Sequence, residues 1–301
     1  MLAARLRPKS RLPKERPAMA DTASTALPNG IVRVTANNPG PMTFRGTNSY
    51  VVGDEEACFV LDPGPEDEAH LEALSRAVAG RRVEALVLTH RHGDHSGLVA
   101  RARTLFDAPL LAAASPERSY QASVDFGALV PDETLADGQR LDLAGHPVEV
   151  VATPGHTSDH LSFALPETGL LFSGDHVMGW STTVIIPPDG SMRNYRASLS
   201  VLLARKDDLY LPGHGDPVAQ PHRLVRSILA HRAQREAMIL AALKEGPARL
   251  HDLVARLYPN LEGPLAIAAS YSVKAHLAEL HARGAISGPD PVTSEGPFAL
   301  D

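Results

Sequence analysis

Apolar positions along the chain gather first in short β-prone runs and later settle into the helical period. Residues 31–34, 48–53 and 57–62 read as strands, the last two joined by a turn at Asp54-Glu55-Glu56. Leu71, Leu74 and Val78 fall at helical spacing and predict a helix over 66–79. The β-rich run 83–88 follows, ending at Thr89; a helix then begins within 96–104, and 109–113 is a short strand. Residues 141–151 predict a hairpin turning near Gly145, 161–165 and 170–173 a second one, and 208–211 a further strand. From Pro221 the period changes. Helices are predicted over 221–242, 249–258 and 265–283, with Leu224, Ile228, Val254, Leu257, Val273, Leu277 and Leu280 in the apolar stripe, and a hairpin over 285–300. Strand-rich segments in both halves fit two stacked sheets with helices outside, an α+β arrangement. The last three helices and the hairpin suggest a small winged-helix unit.

Side chains that carry chemistry gather just after the predicted strands. The run Thr89-His90-Arg91-His92-Gly93-Asp94-His95 is followed by His156 in Pro154-Gly155-His156-Thr157, Asp175 in Ser173-Gly174-Asp175-His176, and His214 in Pro212-Gly213-His214-Gly215. Alternate residues of an extended segment share a side, so His90 and His92 suit one metal ion. Asp94 and His95, past a glycine, can turn toward a second, and the Asp175 carboxylate has oxygens for both. Five imidazoles, two carboxylates and no sulfur suit two divalent ions, zinc foremost, with iron or manganese also compatible. That donor set points to metal-activated water, and so to a hydrolase.

Composition narrows the setting. The chain has 301 residues, 44% of them hydrophobic, enough for one large domain and a small satellite. Six basic residues stand against Glu15 in residues 1–20, so the remainder is more acidic than the overall charge of -6. Three prolines interrupt that basic segment. It reads as a disordered tail over 1–25, with Met19 as an alternative start, followed by a catalytic domain over 26–220 and the winged-helix-like domain over 221–301. Cys58 is the single cysteine, which leaves no intramolecular disulfide and fits a reducing, cytoplasmic setting. No run of 18 apolar residues occurs, so no membrane partner is expected.

The His90-x-His92-x-Asp94-His95 motif, with His156, Asp175 and His214 at their spacings, resembles the metallo-beta-lactamase superfamily over about residues 30–220. Gly46-Thr47-Asn48-Ser49-Tyr50-Val51-Val52-Gly53, the Pro154–His160 segment and the C-terminal region resemble its beta-lactamase-like protein 2 branch, some of whose members are endoribonucleases selective for single strands. That resemblance implies a four-layer αββα sandwich followed by a winged helix. It also implies a dinuclear site in which His90, His92 and His156 hold one metal, Asp94, His95 and His214 the other, with Asp175 between them. Asp94 is the candidate catalytic residue, orienting the water and accepting its proton. Asn48 is a candidate donor to a substrate oxyanion, with a turn-holding role equally open, and His160 a candidate to orient a ligand or touch substrate. Trp180 and Tyr195 are candidate pocket walls.

Two reactions compete. The acidic charge favours a small-molecule ester, thioester or related substrate. The resemblance and the C-terminal unit favour single-stranded RNA. A third reading, of another class, is a DNA- or RNA-binding regulator working through the winged helix. Nine Arg or Lys against eight Asp or Glu after residue 220 give that unit no basic footprint. A homo-oligomer is compatible with the sequence but not called for by it.

Overall fold

The computed structural model describes residues 23–114, 129–261 and 263–301. The expected tail over 1–25 lies outside them except at its end, where residues 23–25 already belong to a strand. Among the described residues, one sheet has seven strands in chain order: β1 (Ala23–Leu27), β2 (Ile31–Thr35), β3 (Asn48–Gly53), β4 (Ala57–Leu61), β5 (Arg82–Val87), β6 (Leu110–Ala113) and β7 (Glu133–Leu135). The first four run antiparallel and the last four parallel. The second sheet has β8 (Arg140–Leu143), β9 (His146–Ala152), β10 (Leu161–Leu165), β11 (Leu170–Gly174) and β12 (Leu209–Pro212), in the order β12-β11-β10-β9-β8.

The two sheets face each other, which explains strands that are buried on both sides. On β3, Tyr50 and Val52 point into the layer between the sheets, where they meet Phe163 and Phe172 of the second sheet, while Val51 points outward. Alternation at period two thus feeds two cores. After β5 comes the short helix α2 (Gly93–Ser96). The outer face of the first sheet is covered by α1 (Glu68–Val78) and α3 (Val99–Phe106), through Leu71, Leu74, Val78 and Val99. The outer face of the second is covered by α4 (Met192–Ala204) and the front of α5 (Pro221–Lys244), through Tyr195, Leu199, Val225 and Ile228. The result is an α+β sandwich with mixed sheets.

Most predicted elements are present within a residue or two. The helix expected over 66–79 is α1, started by Asp67, whose Oδ1 accepts from Ala69 N at 2.9 Å. The hairpin near Gly145 turns through Ala144 and Gly145, both at positive φ (50° and 75°), as a two-residue hairpin turn requires. Four elements were absent from the sequence reading: β1, α2, β7 and α4. The C-terminal segment is the end of α5, then α6 (Leu250–Leu257) and α7 (Gly263–Ala282), packed on a core of Ile239, Leu253, Leu277 and Phe298. Its expected hairpin shrinks to two pairs, Ile286 with Leu300 and Ser287 with Ala299, between β13 (Ile286–Ser287) and β14 (Ala299–Leu300). Among the described residues, no helix is long and apolar enough to cross a membrane.

Candidate metal centre

All seven predicted ligands meet at one edge of the sandwich, because each follows a strand that ends there. His90 and His92 follow β5, and Asp94 and His95 lie in α2. His156 follows β9, Asp175 follows β11 and His214 follows β12. Donor atoms of His90, His92, His156 and Asp175 lie within 4.8 Å of one another, as do those of Asp94, His95 and His214. Asp175 stands between the groups: its Oδ2 is 3.6 Å from His156 Nε2 and 3.3 Å from His214 Nε2, and its Oδ1 is 3.5 Å from His95 Nε2.

Hydrogen bonds fix which ring nitrogen is offered. His95 Nδ1 donates to Asp62 Oδ2 (2.9 Å), His156 Nδ1 to the Val184 carbonyl (2.9 Å) and His214 Nδ1 to the Gly46 carbonyl (3.2 Å). Thr89 spends its hydroxyl hydrogen on Asp62 (2.8 Å), so at the 2.9 Å contact with His90 it must accept from His90 Nδ1. Four imidazoles therefore turn the lone pair of Nε2 into the same space, and His92 brings Nδ1 to 3.0 Å from His156 Nε2. Buried His90 Nε2, His95 Nε2 and Asp175 Oδ1 have no hydrogen-bond partner. Converging lone pairs with orphaned acceptors are costly unless a cation sits among them. The residues fit a pair of divalent ions.

Charge is distributed to match. Burial alone would push His95 and His214 down, but the carboxylates of Asp94 and Asp175 outweigh it, and His214 is raised to about 9. Asp94 and Asp175 are held below the ordinary carboxylate range; burial opposes this, and His95 and His214 overcome it. On the other side, burial and then the neighbouring His156 push His92 down to about 3, and burial keeps His90 neutral as well. The carboxylate-rich half demands positive charge, and the imidazole half offers neutral donors ready for a metal.

The four remaining candidates separate. His160 is buried under Asp175: its Nε2 accepts from the Asp175 backbone N–H (3.1 Å), and its Nδ1 donates to Thr153 Oγ1 (2.9 Å). It holds a ligand's backbone and is not placed to touch substrate. Of the two roles open to Asn48 the contacts favour holding, since its amide hydrogens go to the carbonyls of Pro212 (3.0 Å) and Gly215 (2.9 Å), on either side of His214. Nothing is left to donate to an oxyanion. Tyr195 takes a packing role: it is fully buried, and its hydroxyl donates to the His176 carbonyl at 2.9 Å, so it backs the site from α4. Trp180 does line a cavity of about 550 Å³, with Phe44, Arg45, Asp216, Arg223 and Leu224. Its ring stacks on Phe44 at 4.9 Å, and both abut Gly215, next to His214.

Several residues that matter were given no role in the sequence reading. Asp62 ties Thr89 and His95 together; Thr47 Oγ1 donates to Asp94 Oδ2 at 3.0 Å. Arg91, between the first two histidines, is buried and pairs with Asp159 at 2.7 Å, joining the first ligand loop to the His156 loop. The only sequence signal for Asp62 was an acidic residue closing an apolar strand just before Pro63-Gly64.

Two facing sheets and outer helices carry an oxygen–nitrogen donor cluster, suited to a pair of metal ions, at the strand ends. The family model of the metallo-beta-lactamase superfamily matches residues 42–214. A beta-lactamase-like protein 2 homolog of Drosophila melanogaster is 32% identical over 87% of this chain and 91% of its own length. An atrochrysone carboxyl ACP thioesterase of Aspergillus fumigatus is 32% identical over 71% of this chain. The chain spans 66% and 65% of the length of the Aspergillus niger and Aspergillus fumigatus relatives it matches. Among solved structures, a metallo-beta-lactamase family protein from Thermus thermophilus superposes with a TM-score of 0.74 at 24% identity, covering 92% of this chain and all of that one. A protein solved in a di-iron-bound form superposes with a TM-score of 0.51 at 30% identity, covering 62% of this chain and 93% of that one. The chain belongs to the metallo-beta-lactamase superfamily.

Proposed function

We propose that the chain hydrolyses a small ester, thioester or related acyl substrate with water activated between two divalent metal ions. The observation that carries this reading is the juxtaposition of two donor groups, joined through Asp175, with a mainly apolar cavity beside His214. His90, His92 and His156 would hold one ion, Asp94, His95 and His214 the other, and Asp175 would reach both. Zinc suits this donor set, and iron is the alternative favoured by the di-iron form of the structural neighbour. Manganese also tolerates such ligands. Bound there, the ions would supply a hydroxide near neutral pH and offset charge on the attacked carbonyl.

The chain's own residues supply orientation and the proton path. Asp94 keeps 27% of its side chain open to solvent, with Oδ2 pinned by Thr47, so its carboxylate can turn the attacking water and take up its proton. Trp180 and Phe44 offer an aromatic wall for the acyl or leaving group, and Arg45 and Arg223 cationic contacts at the same cavity. The thioesterase named among the relatives supports this substrate class.

The two arginines also favour a second reading, cleavage of single-stranded RNA, with residues 221–301 as a winged-helix domain beside a catalytic domain over 26–220. Arg45 is half-compensated by Asp216 at 3.3 Å, which weakens the cavity's pull on a polyanion. A parallel screen of metal-loaded protein against thioesters, esters, lactones, a chromogenic beta-lactam and single-stranded RNA decides between them. Turnover of an acyl substrate, lowered about 10²- to 10⁴-fold by Asp94→Ala, supports the first reading. RNA cleavage lost with the same substitution, and no acyl turnover, replaces it with the second.

A further inference from the structure

Arg232, in the middle of α5, is among the largest fully buried side chains, at 2% exposure. Among the described residues it forms no ion pair, although Glu236 lies one turn further along α5; that carboxylate is taken by Arg196 (2.9 Å) and Arg283 (2.5 Å). Burying a guanidinium without a carboxylate is unfavourable, so its contacts are informative. Its guanidinium carbon lies 5.5 Å from the centre of the Tyr195 ring, and its Nη2 donates to the Thr183 carbonyl. It thus reaches across from α5 to the loop that follows Asp175.

That loop touches both parts of the metal centre. The Thr183 hydroxyl donates to the Asp175 carbonyl and lies 3.2 Å from the His176 carbonyl. The next residue, Val184, accepts from His156 Nδ1 at 2.9 Å and so sets the ring's tautomer and angle. Tyr195, beneath the guanidinium, braces the same backbone by donating to the His176 carbonyl and by packing against Gly155 so closely that a Cβ there would lie 2.3 Å from Tyr195 Cα. A single dipeptide, 183–184, therefore governs the ring of one predicted ligand and the backbone of another.

Resting on the metal-hydrolase reading, we infer that Arg232 is a positioning residue for the metal centre: by holding the Thr183 carbonyl it fixes the 183–184 strap, and through it His156 and Asp175. It touches neither metal nor substrate. Residues that orient metal ligands change metal affinity about 10- to 100-fold when removed, and that range sets the expected effect.

The test compares the full chain with Arg232→Met, which keeps the apolar stem and loses the donors, and Arg232→Lys, which restores one. Folding is checked by circular dichroism and urea unfolding of metal-free protein. Zinc affinity is measured by competition with a chromophoric chelator, and the ligand field by the absorption of the cobalt(II)-loaded protein. A folded R232M that binds zinc about 10- to 100-fold more weakly with an altered cobalt spectrum, partly recovered by R232K, supports the role. A folded R232M with wild-type affinity and spectrum overturns it, even if its unfolding midpoint drops, because loss of helix packing alone predicts that outcome. Should R232M fail to fold, Thr183→Val cuts the strap's own bond to Asp175; unchanged affinity and spectrum there overturn the proposal equally. Wild-type protein that takes up no metal would overturn the metal-hydrolase reading, and this inference with it.

Discussion

Asp62 holds two hydroxyl and imidazole donors and a backbone N–H at once: Thr89 N (2.8 Å), Thr89 Oγ1 (2.8 Å) and His95 Nδ1 (2.9 Å). It does so from a left-handed backbone position, φ 51°, that few side chains adopt without a compensating contact. Its carboxylate makes His95 present Nε2, and through Thr89 makes His90 do the same. Asp62→Asn keeps the shape but can turn an N–H toward His95. Metal affinity should then fall about 10- to 100-fold with little change in fold. Equal affinities in a chelator competition would reduce Asp62 to packing. The seven donor residues were legible in the sequence because histidine and aspartate beside glycine after strands are rare except for chemistry. Asp62, Thr47 and Arg91 were not, because a residue that orients a ligand through one bond leaves no spacing signature.

At the scale of elements, strands were the most legible, since cores on both faces of each sheet call for short continuous runs of apolar and β-prone residues. α4 was missed for a physical reason. Its apolar residues Met192, Tyr195, Leu199 and Leu202 do fall at helical spacing, but Arg193, Asn194, Arg196, Ser198 and Ser200 dilute the pattern in a segment that follows a long loop. The available signal was Ser191, an N-cap whose side chain accepts from Asn194 N at 3.3 Å. α4 is nonetheless central, because Tyr195 and Ser198 brace the His156 loop, the latter by donating to the Pro154 carbonyl at 2.8 Å. Leu199, fully buried between α4 and the second sheet, should cost about 2–5 kcal/mol when cut to alanine. Urea unfolding measures this; a loss below about 1 kcal/mol would mean that α4 packs only loosely on the sheet.

At the scale of the whole molecule, acid response exposes how the helices carry buried charge. His276 on α7 is buried at 2% exposure, and neither ring nitrogen has a hydrogen-bond partner. Burial first, then the neighbouring Arg232, Arg196, His231 and Arg283, push it down from 6.5 to about 3. Because the folded value lies below the unfolded one, the unfolded chain takes up a proton first as pH falls. The stability linked to neutral His276 is complete above about pH 6.5 and is lost progressively as pH falls towards 3. His276→Leu removes no hydrogen bond and should flatten that part of the stability–pH curve, measured by urea unfolding at about pH 7.5 and about pH 5. Identical slopes for the two proteins would show that His276 does not titrate on unfolding.

The sequence by itself determined the donor set, the apolar runs that make two doubly covered sheets, and the shift to helices after residue 220. Each is written in residue type at short spacing, where periodicity and local chemistry act. Only the tertiary structure decided which nitrogens face the space between the donors, that Asn48 and Tyr195 hold the site from behind, and that Arg232 reaches the loop after Asp175 from α5. Those contacts join residues far apart in the chain: 167 positions separate Asn48 from Gly215, and 49 separate Thr183 from Arg232. They exist only once the sheets have stacked and the helices have closed over them, so no local pattern records them.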